Sequence, residues 1–195
     1  MATRAKGAEK QAAVGETAEA AKPTRRRITR RQRVEQHVQE YYGALAERDL
    51  PRIVDLWSEE GVFDIVPLGV MRGRHEISGF FRELFDAVPD LETTIARVVP
   101  GEHEAAVEWR LSGHFTGEPF QGLEATGRYV EVRGLDLLEV ADGKTVAVTA
   151  YYDEMSFARQ VGAMPPRDSA ADRALTTVLN AITRLRRALA ERRAA

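Results

Sequence analysis

Hydrophobic positions recur along this chain with two periods, and the change from one to the other divides it. Over residues 29–48, Val34, Val38, Tyr41 and Leu45 fall at i, i+4, i+7 and i+11, which is one face of an α-helix. Asp49 stands where it can cap a short second helix over residues 50–58, with Pro51 in the first turn and Ile53, Val54 and Trp57 pointing inward. Residues 62–66 read as a strand that Pro67 and Gly69 end. A third helix is predicted over residues 75–87, where Ile77, Phe80, Phe81, Leu84, Phe85 and Val88 make a wide apolar stripe, and Pro89-Asp90 stops it.

From residue 92 the period becomes two. Strands are predicted over residues 92–99, 105–115, 129–140 and 145–152. Val107, Trp109 and Leu111 alternate with Glu108, Arg110 and Ser112, as an antiparallel sheet covered on one face requires. Asp142-Gly143 between the last two strands is a two-residue hairpin signal. Helices first and strands afterwards make an α+β pattern, not an alternating βαβ one. No glycine-rich phosphate loop follows a strand, and Gly143-Lys144 belongs to the hairpin turn. A helical turn is expected over residues 157–161, stopped by Gly162 and Pro165-Pro166. A final helix then starts at Asp168 or Ser169 and runs to about residue 192. Its Leu175, Val178, Ile182, Leu185 and Leu189 form a narrow seam like that of a coiled coil. Two readings of it stand open: a helix packed back on its own domain, or one through which the chain self-associates, most simply as a homodimer. The implied division is a basic tail (1–28), a folded domain (29–166) and a C-terminal helix (167–195).

Composition narrows the chemistry. There is no cysteine among the 195 residues, which removes disulfides, thiolate nucleophiles and Cys-based zinc sites. No apolar run approaches the ~20 residues that span a bilayer, and no secretory h-region opens the sequence, so the expected location is the cytoplasm. The net charge of −2 hides an asymmetry. Residues 1–33 hold ten Lys/Arg and three Glu, net +7; residues 167–195 hold seven Arg and three acids, net +4; the middle is left at −13. The basic N-terminal run carries no interleaved aromatics, so it lacks the stacking platform of a single-strand nucleic-acid binder, although it could contact anions. The four histidines, His37, His75, His103 and His114, lack metal-ligand spacing.

Three residues are candidates for catalysis. Asp136 shares parity with Val130, Val132, Leu138 and Val140, which puts it on their apolar face, where an acid resists ionisation; a bulge at Gly134 would turn it outward. Asp153 ends an otherwise uncharged strand beside Tyr151 and Tyr152. It is a general acid/base candidate, or else a cap for the helical turn that follows. His114 lies in Gly113-His114-Phe115-Thr116-Gly117, and strict alternation from Trp109 places it on the opposite face unless Gly113 bulges. Tyr42, Trp57, Phe63, Phe81, Trp109 and Tyr151 are candidates to line a substrate cavity, each also a plausible ordinary core residue. Asp64 reads as a solvated strand position.

The order of elements, with Gly73-Arg74, Pro89-Asp90-Leu91, Trp109, the Gly113 to Gly117 motif, Thr126-Gly127, Gly134 with Asp136, Asp142-Gly143-Lys144, Asp153 and Gln160-Val161-Gly162 before Pro165, resembles the SnoaL-like polyketide cyclase, or ester cyclase, branch of the nuclear-transport-factor-2-like superfamily. The resemblance covers residues 34–166. It implies a cone-shaped barrel, with a curved antiparallel sheet packed by N-terminal helices around a cavity. It also implies aldol-type ring closure without metal or organic cofactor, by a carboxylate near the end of the last strand, which by position resembles Asp153. The chain departs from the family along that strand, with Val148 and Thr149 where an aromatic residue or His is common. The expected function is therefore cyclase or isomerase chemistry on a small apolar carbonyl compound. A non-catalytic binding or assembly module and an epoxide hydrolase are the alternatives. The epoxide reaction favours two carboxylates bridged by Arg, and the sequence has no tight Asp-Arg-Asp cluster. Whether Asp136 and Asp153 face one closed pocket separates these readings.

Overall fold

The structure is a computed structural model that describes residues 28–66 and 68–194; the expected basic tail lies outside the described residues except for Ile28. Helix α1 (Arg30–Ala46) starts at a capping box, in which Thr29 Oγ1 accepts from the Gln32 N–H and Gln32 Oε1 accepts from the Thr29 N–H. Its inner face buries Val34, His37, Val38, Tyr41, Tyr42, Ala44 and Leu45. Helix α2 (Leu50–Leu56) is capped by Asp49, which accepts from the Arg52 N–H. It ends earlier than the pattern suggests because Trp57 is extended, with φ −86° and ψ 150°. The Trp57 carbonyl is taken by two guanidinium N–H groups of Arg74 instead of by a further helical turn.

Trp57 therefore opens strand β1 (Trp57–Ile65), which pairs with the short β2 (Gly69–Arg72). Strand β2 has four residues and no burial alternation, so nothing in the hydropathy pattern announces it. Helix α3 (Gly73–Ala87) buries Ile77, Phe81 and Phe85. Strands β3 (Glu92–Pro100), β4 (Glu104–His114), β5 (Tyr129–Ala141) and β6 (Lys144–Tyr152) follow. All six strands join one sheet in the order β2-β1-β6-β5-β4-β3. Among the described residues only the β1–β6 pair is parallel, so the sheet is mixed: β1 comes from the N-terminal helical half and inserts beside the last strand.

Register decides what faces inward. The β4–β5 ladder runs without a shift from Glu104↔Glu139 to His114↔Tyr129. Neither Gly113 nor Gly134 bulges. Val107 and Trp109 on β4 therefore share the inner face with Val130, Asp136 and Leu138 on β5, and with Val148 and Ala150 on β6, all of them buried. Buried side chains of α1, α2 and α3 belong to the same core as these inner-face residues, while Leu135, Leu137 and Tyr151, of opposite parity, are exposed. A hydrogen bond between His37 Nε2 and Thr145 Oγ1 (2.8 Å), both buried, ties α1 to β6.

Helix α4 (Glu154–Val161) ends at Gly162 in the left-handed region, φ 86°. Helix α5 (Ala170–Ala194) is anchored at its start, where Arg159 pairs with Asp172 at 3.1 Å. Every side chain from Thr176 to Arg193 is exposed. Of the two readings of its seam, the one in which the helix packs back on its own domain is not what this structure shows.

Candidate active site

Between the inner face of the sheet and the helices lies a cavity of about 120 Å³. Its wall is largely aromatic and aliphatic: Phe63, Phe80, Phe81, Phe85, Trp109, Phe115, Phe120 and Phe157 line it among others. These rings hold one another, with Phe63 stacked on Phe81 at 5.7 Å and edge-on to Phe80 at 5.6 Å, arrangements that rigidify a wall. Among the described residues one carboxyl reaches this cavity, that of Asp136.

Asp136 is held from two elements. Tyr42 Oη on α1 donates to its Oδ2 at 2.6 Å, and Trp109 Nε1 on β4 donates to its Oδ1 at 2.6 Å. Each oxygen keeps further accepting capacity. The indole reaches Asp136 because it lies across Gly134, its cross-strand partner. Any Cβ at position 134 would strike the ring and the Tyr151 carbonyl oxygen. Burial pushes the Asp136 carboxyl up to about 6, against the pull of the two hydrogen bonds. The same burial, with the nearby carboxylate, pushes the Tyr41 and Tyr42 hydroxyls well above their ordinary range. Two further hydroxyl-bearing residues line the cavity. Tyr152 is pushed up to about 12, by burial first and then by Glu154. Thr93 has a buried Oγ1 with no partner among the described residues.

This arrangement, an α+β cone closed over an apolar cavity, agrees with what the comparisons find. The SnoaL-like polyketide cyclase profile matches residues 35–161. The chain belongs to that family. No curated protein matches the sequence. Among solved structures, a candidate SnoaL-like polyketide cyclase from Jannaschia sp. CCS1 is similar at 19% identity and a TM-score of 0.64, over 71% of this chain and 98% of that one. TsrD from Streptomyces laurentii is similar at 24% identity and a TM-score of 0.61, over 69% and 98%. An epoxide hydrolase of the LEH-like kind from M. tuberculosis is similar at 16% identity and a TM-score of 0.56, over 69% and 89%. At these identities the likeness is one of fold.

Within this SnoaL-like domain the other predicted residues separate. Asp153 does not face the cavity. It is exposed and caps α4, with Oδ1 accepting from the Ser156 N–H at 2.8 Å, and it borders a polar surface recess with Arg133 and Gln160. The cavity-facing residue at the end of β6 is Tyr152, so the expected Tyr151 is one position off and points out of the sheet. His114 is exposed at the end of β4, where its Nδ1 and its backbone N–H both meet the Asp90 carboxylate at 2.7 Å. That bonding holds the Asp90 carboxyl below the usual range. Trp57 is fully buried under Tyr41 and Phe63 and takes no part in the cavity wall. Tyr42, Phe63, Phe81 and Trp109 do line it. Sequence reasoning missed Tyr152, Thr93 and the convergence of Tyr42 and Trp109 on Asp136. The parity of Val148 and Ala150 would have found the first; the others join residues distant in sequence. Among the described residues no group of three or more His, Cys, Asp or Glu is placed to hold a metal ion, and no helix is long and apolar enough to cross a membrane.

Proposed function

We propose that the protein catalyses cofactor-free proton transfer on a small, largely apolar, carbonyl-bearing compound, in an aldol-type cyclisation or an isomerisation, with Asp136 as general base and acid. The reading rests on one observation: a carboxyl pushed up to about 6 is the single acid that the described residues place on the wall of an apolar cavity. A base of that strength is ionised at neutral pH, yet basic enough to take a proton from the carbon next to a carbonyl. Tyr42 and Trp109 fix its orientation, and the Tyr152 and Thr93 hydroxyls are the available donors for the enolate oxygen that forms. A cavity of about 120 Å³ is close to the ~150 Å³ that accommodates benzene, so a compound the size of one ring suits it. Epoxide opening gains no support, because among the described residues no second carboxyl and no Arg reach the cavity wall.

The test is solvent exchange. A β-keto ester and a cyclic enone incubated in D₂O with the protein should incorporate deuterium next to the carbonyl, followed by NMR. The Asp136→Asn variant should lose roughly 10²–10⁴-fold of that rate. The rate should rise with pH through about 6, where the carboxyl ionises. Exchange equal in wild type and variant would end the proposal and leave the cavity as a binding site.

A further inference from the structure

Among the described residues, six that line the cavity lie outside the strands and α1–α3: Leu68, Val88, Leu91, Phe115, Phe120 and Phe157. The first five are fixed by backbone hydrogen bonds in tight connections. Leu68 bonds to Ile65, Val88 to Leu84 and Leu91 to Val88; Phe115 bonds to Arg128 and Gly127, and Phe120 and Leu123 donate to one another at 3.0 and 2.9 Å. Phe157 is held differently. It sits on α4, where Val161 is the one buried residue, and is itself half-buried. Its ring meets the buried Phe120 edge-on at 6.5 Å, and Phe120 rests on Phe80 of α3 at 6.1 Å. Rings at that separation are in contact, so no third ring passes between Phe120 and Phe157 while α4 stays in place.

Apart from Phe157 and Val161, the hold on α4 is polar. The β5–β6 ladder ends at the pair Gly134↔Tyr152, and beyond it a side chain takes the backbone groups of Glu131. Gln160 Oε1 accepts from the Glu131 N–H at 2.7 Å, and Gln160 Nε2 donates to the Glu131 carbonyl at 2.9 Å. The amide stands in for a peptide group of the strand that has ended. Both bonds are exposed, so water takes their place when they break. The far end of α4 moves with it. Arg159 donates to the Pro165 carbonyl at 2.6 Å and pairs with Asp172 of α5 at 3.1 Å, which joins α4 and the start of α5 into one body. That body needs a single hinge, where the chain leaves β6 between Tyr152 and Asp153.

We propose that α4 is the lid of the cavity, with Gln160 as its latch and the Phe120–Phe157 contact as the gate that a ring-sized compound opens on its way to Asp136. The inference deepens the function proposed above and rests on it in taking this cavity as the substrate's. Phe120 and Phe157 then select what enters, and Gln160 sets how often the gate opens. A latch that closes equally over the empty and the filled cavity changes entry and exit by the same factor. Its loss speeds both rates and leaves affinity where it was.

Benzene is the probe, because its binding needs a ring-sized apolar cavity and no carboxyl. NMR line shapes across a titration give its association and dissociation rates. In Gln160→Ala both rates should rise about fivefold or more at unchanged Kd, the effect of losing two exposed hydrogen bonds. Phe157→Ala should also raise both rates, and it should weaken binding because wall contact is lost. Asp49→Ala is the control for general loosening: it removes the cap of α2, a helix that gives the cavity wall no residue among those described. Both rates should stay at their wild-type values there. The proposal is overturned by rates unchanged in Gln160→Ala or in Phe157→Ala, by equal acceleration in Asp49→Ala, or by benzene that binds none of these proteins. Deuterium exchange in Asp136→Asn reports on the base alone, so the gate and the proton transfer fail separately.

Discussion

Asp136 carries a cost that its hydrogen bonds only partly offset, and that cost is measurable. Its folded-state pKa of about 6 lies above the ~3.9 of an unfolded chain. The folded state therefore holds the proton more tightly between those values. The associated stability is fully present below about pH 4 and is lost as pH rises through about 6. At about 1.4 kcal/mol per unit the loss approaches 3 kcal/mol by pH 7. Chemical denaturation of wild type and Asp136→Asn at pH 4 and pH 7 should show the wild type losing that much relative to the variant. The difference is the quantity to measure, because burial lowers the pKa of His37 and its contribution runs the other way, falling as the pH drops. Gly134 is the second decisive residue. Alanine there would meet Trp109 Cη2 and the Tyr151 oxygen, each 2.6 Å from the added carbon. A cost of about 1–3 kcal/mol is expected, with a change in indole fluorescence as the ring leaves Asp136. Thr93→Val should act in the opposite sense. It removes a buried hydroxyl that has no partner, so the melting temperature should hold or rise.

At the scale of elements, the end of β6 shows how much one position matters. Along a strand, side chains alternate between faces. Ala150 and Tyr152 line the cavity, with Val148 buried on the same face of the sheet; Asp153 has already left the strand and begins the cap of α4. The resemblance placed the reacting carboxylate at Asp153, whereas the cavity holds the carboxyl of Asp136 on the neighbouring strand, cross-paired with Ala150. Two substitutions separate the two roles. Asp153→Ala should cost about 0.5–2 kcal/mol of stability by removing a cap while leaving deuterium exchange unchanged, and Asp153→Asn should cost almost nothing. Loss of exchange in Asp153→Asn would return the catalytic role to the strand end.

For the whole molecule, the paired question is what holds the domain together and what lies outside it. The ring cluster, the His37–Thr145 bond and the single parallel pair β1–β6 join the N-terminal helical half to the last strand. Helix α5 shares none of this. With its seam exposed from Val178 onward, the double variant Ile182→Asp, Leu185→Asp should leave the denaturation midpoint of the domain unchanged. A shift of more than the experimental error would show that the helix supports the fold.

Helix faces, strand parity and caps were legible because they depend on local rules. Asp49 caps α2 and Asp153 caps α4 as their types suggest, and the alternation around Trp109 predicted the inner face of β4. The parity of Asp136 was legible too, and so was its raised pKa in kind, since an acid among Val130, Val132 and Leu138 must resist ionisation. What the chain pattern could not contain was the pairing of β1 beside β6, the short edge strand β2, and the meeting of Tyr42, Trp109 and Asp136. These join residues far apart in sequence, and long-range pairing leaves no period to read. Whether Gly113 or Gly134 bulged was open on sequence alone. The unbroken β4–β5 register decided it, because a one-residue slip would have turned Asp136 to solvent and His114 inward.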